Sequence, residues 1–116
     1  MAFRDLLDQW DSRPAIRGGA VISEDGLLVH DLLADGVDGE ALAALAVVLR
    51  RDATQLSDAA GGGDPGTLVV ELPAGPVVVA GLDEHHTLLL LARPGADIGP
   101  LLYDIRCHRT TLSRAV

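Results

Sequence analysis

Residues 41–49, Ala-Leu-Ala-Ala-Leu-Ala-Val-Val-Leu, form an unbroken run of nine apolar positions inside a segment that otherwise has the character of a helix. A helix on the surface of a small domain needs one apolar stripe, so a helix that is apolar all round must be covered on more than one side. The chain has 116 residues, 48% of them apolar, which is enough for one modest core and not for two. A single folding unit spanning residues 1–116 is therefore expected, with part of the cover for this helix coming from a second copy or a partner protein.

The remaining elements follow from periodicity. Phe3, Leu6, Leu7 and Trp10 recur at three- and four-residue intervals and predict a first helix ended by Pro14. The period then shortens: residues 16–23 and 27–33 read as strands, and Asp25-Gly26 between them is a hairpin signal because a tight turn needs residues that tolerate positive φ. Gly36-Val37-Asp38-Gly39 breaks the pattern and places an acid at the start of the central helix, expected over residues 38–60, where the positive end of the helix dipole favours it. Strands over 67–72, 77–82 and 85–92 and a helix over 97–114 with Ile98, Leu101, Leu102, Ile105 and Leu112 as its stripe complete the chain. The order α-β-β-α-β-β-β-α, with short separators everywhere except at the central helix, predicts an α+β fold: a five-stranded antiparallel sheet with the long central helix on one face and the terminal helices on the other.

At 100° per residue, Leu42, Leu45, Leu49 and Leu56 cluster on one side of the central helix and are expected to face the core. Ala43, Ala44, Val47 and Val48 lie on the other side, followed by Arg51, Thr54 and Asp58; small residues there would let a second helix approach closely.

A formal charge of −8 and a pI near 4.7 argue against nucleic acid and anionic membranes as partners, since both are recognised through basic clusters. Every one of the nine basic residues is Arg, so no Schiff-base or phosphate-loop lysine is available. A single cysteine, Cys107, can form neither an internal disulfide nor a cysteine metal cluster and fits a reducing compartment. The N-terminal segment mixes acids with apolar residues and lacks the pattern of a signal peptide; no apolar run approaches the roughly 20 residues of a membrane span. A cytoplasmic location is expected.

Chemical motifs are weak. The glycines of residues 61–66 follow a helix and lead into a strand, the reverse of a phosphate loop, and read as a linker. Gly18-Gly19 within a strand suggests a bulge or a close backbone approach. His85 and His86 are neighbours in a strand pattern and would point to opposite faces, which suits turn-flanking residues better than metal ligands. Cys107 beside His108 reads as a small core residue, and the acids at 31, 35, 38, 83 and 84 as solvated turn carboxylates. Arg50-Arg51 closes the apolar run, either as a solvated face or as the border of a partner surface. A hydrolase that wraps a sheet round a central helix would need an acid or His on that helix, where this chain offers Ala, Leu and Val.

The stretch Gly19-Ala20-Val21-Ile22-Ser23-Glu24-Asp25-Gly26-Leu27-Leu28-Val29 resembles the opening hairpin of the Roadblock/dynein light-chain family, which includes bacterial MglB-like proteins. The alanine-rich helix of residues 40–60, the strands Thr67-Leu68-Val69-Val70-Glu71 and Thr87-Leu88-Leu89-Leu90-Leu91-Ala92, and the closing helix from Asp97 fall where that family has them. The resemblance implies a homodimer in which the central helices pack together and the third strands pair across the two-fold axis. It also implies a small Ras-like GTPase as partner and, as in some members, activation of its GTP hydrolysis. Carried onto this chain, the dimer contact falls on Ala43, Ala44, Val47, Val48 and Arg51 of the helix and on Leu68 and Val70 of the edge strand. Arg50, Arg51 and Asp58 are the partner-contact candidates, and no catalytic residue, cofactor or metal is implied. The alternative is a dimeric scaffold for a sensor kinase or cytoskeletal complex that leaves GTP hydrolysis alone.

Overall fold

The computed structural model describes residues 14–115, with side chains to Arg109 save that of His108. The predicted first helix, with Phe3, Leu6, Leu7 and Trp10, lies outside the described residues, as do the side chains of His108 and Leu112. The elements run β1 (Ile16–Ser23), β2 (Leu28–Leu32), α1 (Gly39–Ala59), β3 (Thr67–Val70), β4 (Val77–Gly81), β5 (His86–Ala92) and α2 (Gly99–Ala115). All five strands join one antiparallel sheet in the order β2-β1-β5-β4-β3. The β1–β2 hairpin and the β3-β4-β5 meander thus meet through β1 and β5, which leaves β2 and β3 as the edges.

Alternation sorts the side chains onto two faces. Val21, Val78, Ala80, Leu88 and Leu90 share one face with Leu101 and Ile105 of α2, while Ala20, Ile22, Val77, Val79, Leu89 and Leu91 share the other with Ala43 and Ala46 of α1. The two described helices therefore lie on opposite faces of the sheet, as the element order predicts. Because β4 and β5 are covered on both sides, they carry continuous apolar runs with no polar face.

Local chemistry sets the boundaries. At the β1–β2 turn, Gly26 takes φ +81° and Ser23 N donates to Leu27 O at 2.8 Å, as the Asp-Gly pair requires. In β1 the register against β5 slips between Ile16 and Gly18, and a Cβ on Gly18 would lie 2.9 Å from Leu32 O. The bulge and the close approach read from Gly18-Gly19 are both present. Asp38 caps α1, its Oδ1 accepting from Ala41 N at 3.1 Å, with Glu40 in the first turn. Asp97 Oδ1 accepts from Gly99 N at the start of α2, where Pro100 needs no acceptor.

Candidate interaction surface

The side of α1 that meets the sheet is the small-residue side. Ala43 and Ala46 are each 1% exposed, packed on Ile22, Val77, Val79, Leu89 and Leu91. The sheet supplies the bulk and the alanines let the helix axis come close, so this contact is well filled without large side chains from α1. Leu42 and Val47 add partial cover from the two flanks.

This rotates the helix relative to the expectation from the wheel. Of the four leucines assigned to the core, Leu45 is 57% and Leu56 70% exposed; Leu42 and Leu49 are half-buried. Ala43, assigned to the dimer contact, is instead enclosed within this chain and cannot meet a second helix. Among the other proposed contact residues, Ala44, Val48 and Arg51 are exposed, while Val47, Leu68 and Val70 are half-buried. Leu68 and Val70 pair with Val79 and Val77, which places them on the α1 face of edge strand β3. The outward face of α1 is apolar over Ala41, Ala44, Leu45 and Val48, then carries exposed Arg51, Asp52 and Gln55 before exposed Leu56; past Leu45 it continues to exposed Leu72 just beyond β3. A groove formed by Leu42, Leu45, Leu72, Val77 and Leu91 joins the helix to the end of that strand.

Arg50, one of the partner-contact candidates, is committed within the chain. Its Nη1 donates to His86 O and Thr87 Oγ1, both at 3.0 Å, and its Nη2 donates to Asp83 O at 2.9 Å. A Cβ at position 81 would overlap the guanidinium, so Gly81 clears its seat. The guanidinium pins α1 to the β4–β5 turn, so its terminal nitrogens are already engaged within the chain. Arg51 and Asp58 remain exposed on the outer helix surface. Thr87, whose hydroxyl meets Arg50, is the buried polar residue of β5; wheel and strand patterns carry no sign that Arg50 reaches it.

The two histidines diverge, as their neighbouring positions suggest. His85 Nδ1 donates to Glu24 Oε2 at 2.9 Å, tying the β4–β5 turn to the β1–β2 turn, and His86 Nδ1 contacts the Asp83 carboxylate at 3.0 Å. The Glu24 hydrogen bond and charge raise the His85 pKa above its usual 6.5. Cys107, expected in the core, is exposed. It lies beside Tyr103, whose hydroxyl pKa is raised above 10.0 by its hydrogen bond with this side chain. On the sheet side of α1, Arg50 is bound to the His86 and Asp83 carbonyls and to the Thr87 hydroxyl. No described helix is long and apolar enough to cross a membrane.

Similarity to known proteins agrees with this architecture. None of the curated proteins matches the sequence. Among solved structures, Myxococcus xanthus MglB superposes with a TM-score of 0.84 at 12% identity, covering 97% of this chain and 92% of that one. The gliding protein MglB of Thermus thermophilus gives 0.81 at 18% identity, covering 97% and 87%. A Roadblock/LC7 domain from Streptomyces avermitilis gives 0.82 at 26% identity, covering 100% and 95%. Residues 2–92 match the Roadblock/LC7 domain, and the chain belongs to that family.

Proposed function

We propose that this protein is a non-catalytic regulator that works as a homodimer, built by packing the outer faces of two α1 helices and the free edges of two β3 strands, and that the dimer docks a small Ras-like GTPase. The observation that carries the dimer is the exposure of Leu45 and Val48, and of Leu56 two turns on beyond Asp52, on the outward face of α1, beside a sheet edge that has no neighbouring strand among the described residues. Burying a Leu or Val fully is worth roughly 1.5–3 kcal/mol, and these three are about half exposed, so the two copies together gain roughly 5–9 kcal/mol. That is comparable to the lower part of the association cost of about 4–15 kcal/mol, and strand pairing adds to it. Ala41 and Ala44 on the same face keep the helices close.

The Roadblock/LC7 membership and the likeness to MglB support a regulator or adaptor. The side-by-side α1 helices would present Arg51 and Asp58 near the rim of a platform, with the GTPase supplying the hydrolytic machinery. Light scattering tests the first half: the wild type should weigh about twice 12.1 kDa, and Leu45→Arg, which leaves the sheet contact intact, should be a folded monomer. Val47 is a poorer choice for this test because it packs partly on the sheet. A monomeric wild type at about 100 µM, where a micromolar dimer would be largely assembled, refutes the dimer. For the second half, mixing with Ras-like GTPases encoded beside this chain should change GTP turnover or give a measurable Kd. Recovery of a sensor kinase or filament protein without any GTPase would replace this reading by the scaffold one.

A further inference from the structure

We propose that Arg109 on α2 receives Glu71 of the partner subunit, and that this ion pair, made twice by symmetry, fixes the register of the β3–β3 seam. The inference rests on the homodimer proposed above and adds the residues that align it. Arg109 Nη2 donates to Thr67 Oγ1 at 3.2 Å and the guanidinium lies against Gly66, at the start of the edge strand. Its Nε is buried and has no hydrogen-bond partner among the described residues. The enclosed Nε is out of reach of another molecule, but the terminal nitrogens lie against Gly66 and Thr67 at the open sheet edge, where a guanidinium can take an anion from whatever completes that edge.

Strand geometry identifies the anion. Two antiparallel β3 strands related by a two-fold axis normal to the sheet keep both α1 helices on one side, and directly opposed residues must then share a face. Thr67 and Val69 pair with Ala80 and Val78 and so lie on the α2 face; Leu68 and Val70 lie on the α1 face. Continuing the alternation by one residue puts exposed Glu71 on the α2 face. With the axis at Val69, Val69 faces its own copy, Leu68 faces Val70 of the partner subunit, and Thr67 faces Glu71 of the partner subunit. Moving the axis by one residue sets Pro65 or Pro73 into the pairing, where a proline cannot donate. Opposed Cβ atoms in such a pair are roughly 4.5–5.5 Å apart, so the Glu71 carboxylate arrives beside the Thr67 hydroxyl that Arg109 already holds.

Reversing the charges gives the test. Glu71→Arg homodimers contain two Arg–Arg encounters and Arg109→Glu homodimers two Glu–Glu encounters, and each should dissociate at least about tenfold more readily in sedimentation equilibrium. An equimolar mixture of the two variants forms a heterodimer with one native and one reversed pair, and should associate within about threefold of the wild type. Raising the salt concentration should weaken the wild type more than a Glu71→Gln variant. A dimeric wild type whose two variants neither weaken nor rescue one another overturns the pairing while leaving the dimer standing; a monomeric wild type removes the dimer and the pairing together. Should Arg109→Glu not fold by circular dichroism, Glu71→Arg must still weaken the dimer more than Glu71→Gln, and equal effects overturn the proposal.

Discussion

Replacing Arg50 by Ala should destabilise the fold far more than its position on a helix suggests. The guanidinium makes three hydrogen bonds, to His86 O, Thr87 Oγ1 and Asp83 O, and holds the middle of α1 to the β4–β5 turn. A hydrogen bond from a charged donor contributes about 1.5–3 kcal/mol, but the three share one side chain and the group is half-buried, so water recovers part of the loss. Thr87, 2% exposed, cannot be rehydrated as easily and is left short of a donor. The expected cost is about 2–4 kcal/mol. Urea denaturation followed by circular dichroism, at one fixed protein concentration so that any association contributes equally, reads it as a shift in midpoint at unchanged slope. Arg50→Lys should recover less than half, because an ammonium cannot span three acceptors as a planar fork does. Arg51→Ala, one residue along and exposed, should change stability by no more than about 0.5 kcal/mol. If Arg50→Ala costs under about 1 kcal/mol, or no more than Arg51→Ala, the guanidinium is not the tie between helix and turn that its geometry indicates.

Two further outcomes follow from local chemistry. Asp38→Ala removes the oxygen that accepts from Ala41 N and should cost about 1 kcal/mol in the same denaturation assay, with Asp38→Ser recovering most of it; equal losses for both variants would exclude capping as the cause. His85 should titrate above 6.5 by NMR, and Glu24→Gln should lower that value. Since the folded pKa is raised, the tie between the two turns is fully present below pH 6.5 and is lost as pH rises through the folded value, so stability attributed to it must fall, not rise, across that window.

Much of this architecture is legible in the amino-acid order. Asp25-Gly26 and the short separators after β3 and β4 announce hairpins, and the observed strands start and end within two residues of the expected ones. The joining of β1 to β5 is not announced, since any of these apolar strands could pair with any other and only the assembled antiparallel sheet decides among them. Arg50 illustrates a second limit. Its neighbour Arg51 is chemically identical, and nothing local tells which of the two turns inward; the answer depends on the β4–β5 turn, whose backbone carbonyls lie more than thirty positions away.

The rotation of the helix has the most consequence. Ranking residues by size assigns leucines to the core and alanines to the partner, because in an isolated amphipathic helix the larger residues gain most from burial. Here the sheet brings Ile22, Leu89 and Leu91 to the contact, so a close helix needs small residues facing it, and Ala43 and Ala46 meet that need. Leu45 and Leu56 are then left outside, while Leu42 and Leu49 are half-buried on the flanks. An apolar run that looks excessive for one core is therefore divided: its small side seats the helix on the sheet, and its large side forms a surface whose burial requires another molecule. Leu45 and Leu56 sit on that second side with Ala44 and Val48 of the face first assigned to an interface, whereas Ala43 of that face belongs to the core, so the extra hydrophobicity of residues 41–49 still points outward.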